Sequence, residues 1–261
     1  MVASLLLCLV ADVGVREDTF EDRPHFVVET DNATAWLDRR SGGLSRLIDG
    51  GGRDWIAFRM KPWGEYPAAA AGAFRGFPNM VFGDDPDAGF GHPGHDTGRS
   101  AVTEQGEHVV IDAKSESGRW AIRWTFTDAE IAMAVTKAPD DAKYWVLYEG
   151  PVGGSFDPAA ESVATPSGEI PAGAVDFFAG VRVAGVFPWA EFRDSGCDAA
   201  LRIERGGPAG EGVIDTWANL GAEGGLRSSD GMTVFGFGRG PQGIDPRLAG
   251  EQTFRLQFVE R

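Results

Sequence analysis

Along most of this chain, apolar and polar residues alternate with a period of two. His25–Thr30, Thr34–Asp38 and Leu44–Ile48 each read as strands, because successive strand side chains point to opposite faces. Between them stand Arg39-Arg40-Ser41-Gly42-Gly43 and Asp49-Gly50-Gly51-Gly52, which is hairpin turn chemistry. Asp54–Phe58 reads as the next strand of the meander. The alternation resumes in Ser100–Thr103, His108–Ala113, Trp120–Phe126, Glu130–Val135 and Tyr144–Glu149. It returns in Val181–Val183, Leu201–Glu204, Thr233–Gly238 and Phe254–Val259. Within Trp120–Phe126, Trp120, Ile122 and Trp124 point one way, toward the core, and Arg123 points the other.

Two stretches break the pattern. Met60–Ser100 contains prolines at 62, 67, 78, 86 and 93, which exclude a central strand over most of its length. Ser155–Gly180 reads as a second loop-rich region. Long irregular stretches inside a compact domain are usually functional. No segment sustains a 3.6-residue apolar period beyond about two turns. The expectation is therefore an all-β protein, a large antiparallel β-sandwich of the supersandwich type. It forms a single domain over residues 16–261. Residues 1–15, with the apolar run Ser4–Ala11, are either the remnant of a secretory signal or a first strand. The signal reading implies a secreted or periplasmic protein.

Composition sharpens this picture in two ways. The chain has 37 Gly, without a collagen period, which fits many turns between short strands. Its net charge is −15, which argues against nucleic acid as a partner and against an anionic membrane surface. The run Ser4–Ala11 is too short to span a bilayer, so no membrane insertion is expected. Only Cys8 and Cys197 are present.

Rossmann, P-loop, G-x-S-x-G and H-E-x-x-H signatures are absent. The densest titratable cluster is His92-Pro93-Gly94-His95-Asp96. Two His on a Gly/Pro loop can serve as a base and its orienter. Arg75 and Asn79 lie in the same irregular segment, where Arg offers a planar fork to a carboxylate or a diol. Tyr144-Trp145-Val146-Leu147-Tyr148-Glu149 puts Tyr144, Val146 and Tyr148 on one face and Trp145, Leu147 and Glu149 on the other. A row of two Tyr can line a sugar groove or pack in the core. Glu149 is a candidate acid or anchor, and Arg123 a candidate ligand contact. The residues require no cofactor and define no metal site. The acidic turn Asp84-Asp85-Pro86-Asp87 offers oxygen ligands to calcium without the EF-hand pattern.

The opening of the chain resembles that of galactose-mutarotase-like supersandwich domains, as in rhamnogalacturonan-lyase-like polysaccharide-active proteins. Phe26–Thr30, Ala35–Asp38, Ser41-Gly42-Gly43 with Leu44–Leu47, and Gly52–Ile56 carry it. The resemblance implies sugar binding on a concave sheet face, and in several relatives β-elimination on uronate glycans. In that reading Arg75 and Asn79 hold the uronate carboxylate, and His92, His95 or Tyr148 removes the C5 proton. Arg123, Tyr144 and Glu149 complete the contacts to a polysaccharide or oligosaccharide. The alternatives are a non-catalytic carbohydrate-binding or cell-surface module, and a glycoside hydrolase or sugar epimerase. The mutarotase His pair lies on separate strands, whereas His92 and His95 are three residues apart.

Overall fold

The structure is a computed structural model that describes residues 13–57, 76–82, 98–174, 185–207, 214–220, 231–239 and 246–261. Every element longer than a 3₁₀ turn among these residues is a strand, as the period-two pattern requires. Three antiparallel sheets form. The first holds β1 (Gly14–Phe20), β2 (Arg23–Glu29), β3 (Ala33–Asp38) and β4 (Leu44–Asp49) in chain order. The second contains β5 (Asn79–Phe82), β10 (Tyr144–Gly150), β15 (Ile214–Leu220) and β16 (Met232–Arg239), in the order β15-β16-β10-β5. The third is nine-stranded, in the order β12-β11-β13-β14-β17-β9-β8-β7-β6. Its members are β6 (Arg99–Glu104), β7 (Val109–Lys114), β8 (Ala121–Phe126), β9 (Ile131–Lys137), β11 (Glu161–Thr165), β12 (Gly168–Pro171), β13 (Trp189–Asp194), β14 (Ala199–Gly206) and β17 (Gln252–Glu260).

Among the described residues one backbone bridge joins the first two sheets into one layer. Leu44 N–H donates to the Phe77 carbonyl at 2.7 Å, and Phe77 N–H returns the bond at 3.2 Å. The nine-stranded sheet packs against this layer. The core between them is aromatic: Phe77 meets Trp124 at 6.3 Å and Phe254 at 5.9 Å between ring centroids. Phe192 meets Tyr148 at 4.3 Å and Phe235 at 5.5 Å. Trp120, Ile122 and Trp124 are buried in this core while Arg123 is exposed, in line with the alternation of β8. Trp124 also donates its indole N–H to the Gly42 carbonyl at 2.8 Å, tying one layer to the turn of the other.

Three sequence expectations are corrected. Asp54–Phe58 does not form a strand: Asp54 makes one isolated bridge to Ile48, and Phe58 lies outside the described residues. Its carboxylate instead accepts from the backbone N–H groups of Leu47, Ile56 and Ala57, which folds the segment into a bend. Asn79–Phe82, inside the expected irregular stretch, is strand β5 and pairs with β10. Ser155–Gly180 contains the β11–β12 hairpin. Val181–Val183 and the run Ser4–Ala11 lie outside the described residues.

The Ser41-Gly42-Gly43 turn is demanding at one position. Gly42 has φ of 75°, and a Cβ there would stand 2.6 Å from the Cβ of Ala113. Gly52 has φ of 81° with open space around it. Gly42→Ala is expected to cost about 3 kcal/mol, from overpacking and left-handed strain together. Gly52→Ala is expected to cost about 1 kcal/mol, from the strain alone. Urea denaturation of both variants checks the difference.

Candidate functional site

Strand β10 is buried along its whole length, and its two faces have opposite characters. Tyr144, Val146 and Tyr148 face the main core, whereas Trp145 and Leu147 pack on the far face with Val234. Glu149 follows on that far face by the period of two. Across the ladder Leu147 pairs with Asn79 on β5 and with Gly236 on β16, and Glu149 pairs with Val234. Gly236 pairs in turn with Thr216 on β15. The outer face of this sheet therefore carries Asn79, Trp145, Leu147, Glu149 and Thr216 side by side. Gly236 lets them close up: a Cβ there would stand 2.9 Å from Leu147, 3.0 Å from Thr216 Oγ1 and 3.1 Å from Trp145.

The polar centre of the face is a pair. Asn79 donates from Nδ2 to Glu149 Oε2 at 3.1 Å, and both residues are buried. The contact orients the amide, because turning Asn79 over would set its oxygen against a carboxylate oxygen. Its Oδ1 is buried and has no hydrogen-bond partner. An orphaned buried acceptor costs about 1–3 kcal/mol, which a donor brought in from outside would relieve. The end of β10 is fixed by Glu149 N–H donating to the Gly76 carbonyl at 3.2 Å. It is fixed too by Gly150, where a Cβ would meet the Trp55 carbonyl at 2.0 Å.

Of the residues expected to form the site, the structure brings Asn79 and Glu149 together. It places Tyr144 and Tyr148 elsewhere. Tyr148 is wholly buried and donates its hydroxyl to the Trp55 carbonyl at 2.7 Å. Burial holds its pKa well above the ordinary value of a phenol. These observations correct the reading of Tyr148 as a base, since its hydroxyl is shut off from solvent and committed to a backbone carbonyl. Tyr144 is buried against Trp120 and donates to the Gly250 carbonyl at 2.7 Å, so the two Tyr pack the core and do not line a groove. Arg123 lies on the outer face of the nine-stranded sheet, across the sandwich from Glu149. It forms a two-pronged pair with Asp112, at 2.7 and 2.8 Å. Arg75, His92, His95 and the Asp84–Asp87 turn lie outside the described residues. Among the described residues no three His, Cys, Asp or Glu side chains gather as metal ligands.

Sequence reasoning passed over Glu161, at the start of β11. This carboxyl is buried between the layers. It accepts from Asp157 N–H at 2.6 Å and from Thr233 Oγ1 at 3.1 Å. Burial pushes its pKa up to about 8. Its signal was the alternation of Glu161-Ser162-Val163-Ala164-Thr165, hidden in a region taken for loop. His25 behaves in the opposite sense. It is buried, with Nδ1 against the Arg23 carbonyl at 2.8 Å and Nε2 against Ser45 Oγ at 2.6 Å. Desolvation lowers its pKa.

No protein-family model matches the sequence, and no curated protein does. Solved structures do match its fold. HI1317 aligns with a TM-score of 0.58 at 10% identity, over 99% of this chain and 98% of that one. The mutarotase-like protein YeaD of Salmonella typhimurium aligns with a TM-score of 0.54 at 12% identity, over 95% and 94%. A galactose mutarotase-like protein of Lactobacillus casei aligns with a TM-score of 0.50 at 10% identity, over 90% and 100%. The chain thus has the galactose-mutarotase-like fold. At these identities the likeness is one of fold.

The Glu161 site gives a pH prediction with a definite sign. Its folded pKa is raised, so between pH 4.5 and about 8 the folded chain holds a proton that the unfolded chain has released. Stability from this group is complete below that window and falls as pH rises through it. Because His25 removes stability as pH falls below 6.5, the informative quantity is a difference. Glu161→Gln is expected to gain on the wild type by on the order of 2 kcal/mol between about pH 5 and about pH 8. Urea midpoints measured for both proteins across that range check it.

Proposed function

We propose that the protein binds a carbohydrate on the outer face of the β15-β16-β10-β5 sheet. In this reading Glu149 accepts hydrogens from sugar hydroxyls and is the group able to move a proton there. The observation that carries it is the Asn79–Glu149 pair with its unpartnered amide oxygen. The orphaned Asn79 oxygen, in a buried place beside Glu149, calls for a ligand rich in donors, and hydroxyl groups supply them. Trp145 supplies an aromatic neighbour on the same face, of the kind that packs on sugar rings. The likeness in fold to YeaD and to the Lactobacillus casei protein supports a carbohydrate ligand.

The same pair bears on the kind of carbohydrate. Asn79 spends an amide hydrogen on Glu149, and a carboxylate beside it repels a uronate. That arrangement favours a neutral glycan over the uronate of a polysaccharide lyase. Tyr148 faces the main core with its hydroxyl bonded to the Trp55 carbonyl, so elimination would rest on His92 or His95 alone.

The test is titration with a panel of neutral and uronic mono- and oligosaccharides, followed by calorimetry. In parallel, NMR follows anomer exchange and absorbance follows new double bonds. Glu149→Gln is expected to lower affinity for the bound sugar by about tenfold or more, the scale of a hydrogen bond to a charged group. Unchanged affinity in a folded Glu149→Gln protein, or no binding anywhere in the panel, would overturn the proposal.

A further inference from the structure

The outer face of the nine-stranded sheet holds a feature that the sugar reading does not use. Arg99 on β6 stands directly opposite Lys114 on β7 in the ladder, and Lys114 stands opposite Ala121 on β8. The row continues to Lys137 on β9, opposite Ala121. Like charges directly opposite in a sheet are destabilising. Arg99 and Lys114 are exposed, and among the described residues neither makes an ion pair or side-chain hydrogen bond. In a chain of net charge −15, with many carboxylates at hand, an unneutralised pair of facing cations calls for an explanation.

The space beside them supplies one. Arg99, Lys114 and Arg123 line a surface hollow of about 450 Å³, floored by Ala101 and Ala121. That volume lies in the range of small-molecule sites. Among the described residues Asp112 is the carboxylate in its lining, and Arg123 already engages both its oxygens. Glu104, which also acts on Arg123, lies at the far end of β6 facing His108. Arg99 and Lys114 are thus left to an outside partner.

We propose that this hollow is a binding site for a small ligand bearing an oxyanion, carboxylate or phosphate, held between Arg99 and Lys114. Arg123, braced by Asp112, forms the wall beside it. The site is separate from the sugar face and does not depend on that reading.

The experiment is an NMR titration of the amide signals of residues 99–101, 112–114 and 121–123 at low ionic strength. Inorganic phosphate and glucuronate are the two probes, which distinguishes the two oxyanion sources. Saturable shifts confined to these strands are expected with at least one probe. The Arg99→Ser, Lys114→Ser double variant is expected to weaken binding by about tenfold or more. Both positions are exposed, and removing facing like charges leaves the fold intact. A wild-type protein with no saturable shift from either probe would overturn the proposal. So would equal binding by wild type and double variant.

Discussion

The Leu44–Phe77 bridge is the contact on which the architecture turns. Without it the N-terminal meander and the β10 sheet would be two four-stranded sheets with an edge between them, and open edges are a liability. The two hydrogen bonds of the bridge close that edge. They also aim the Phe77 ring inward, against Trp124 and Phe254 of the nine-stranded sheet. One local pairing therefore extends the first layer and seeds the aromatic core between layers. The Ser41-Gly42-Gly43 turn supports it from beneath, because Gly42 presents its carbonyl to Trp124 two residues before Leu44.

Continuity of that layer determines what β10 can display. With β5 on one side and β16 on the other, β10 is a central strand, so its main chain is fully engaged and only its side chains vary. Period two then divides them strictly. Tyr144 and Tyr148 go to the core, where their hydroxyls must find carbonyls, and they find Gly250 and Trp55. Glu149 goes to the outer face, where Asn79 of β5 meets it. The close approach of the Trp55 carbonyl to Gly150 stops the strand one residue later. Glu149 is thereby held by the backbone on both sides and is not a loop residue free to drift.

These relations explain which parts of the molecule were legible in the sequence. Alternation identified most strands of the meander and of the β6–β9 run, because each has one apolar face and a Gly or Asp turn at its end. It also gave the correct faces for Trp120, Arg123 and Trp124. It failed at β5, where Asn79-Met80-Val81-Phe82 is short and follows a proline, and at β11, where Glu161 is an ionisable residue in a buried position. Burial of a Glu is decided by the opposite layer, in this case by Thr233, which local pattern does not contain. The site was half legible for the same reason. Tyr144, Tyr148 and Glu149 all stood out as polar or aromatic members of one strand. Which face meets the core depends on the nine-stranded sheet, and the tyrosines went inward.

The acid balance of the chain is a weaker guide to its ligands than composition suggests. Exposed charges further apart than about 10 Å are largely screened at moderate salt. The layers of a sandwich lie about 10 Å apart, so their outer faces are further apart still. Each face answers to its own residues. On the β10 side those residues are Asn79 and Glu149, hydrogen-bonded to each other. On the opposite side Arg99 and Lys114 form a local positive field that the net charge of −15 does not cancel. An overall negative charge thus works against extended polyanions that must lie along much of the surface. It leaves room for a small anion at one hollow, because there the nearest charges dominate.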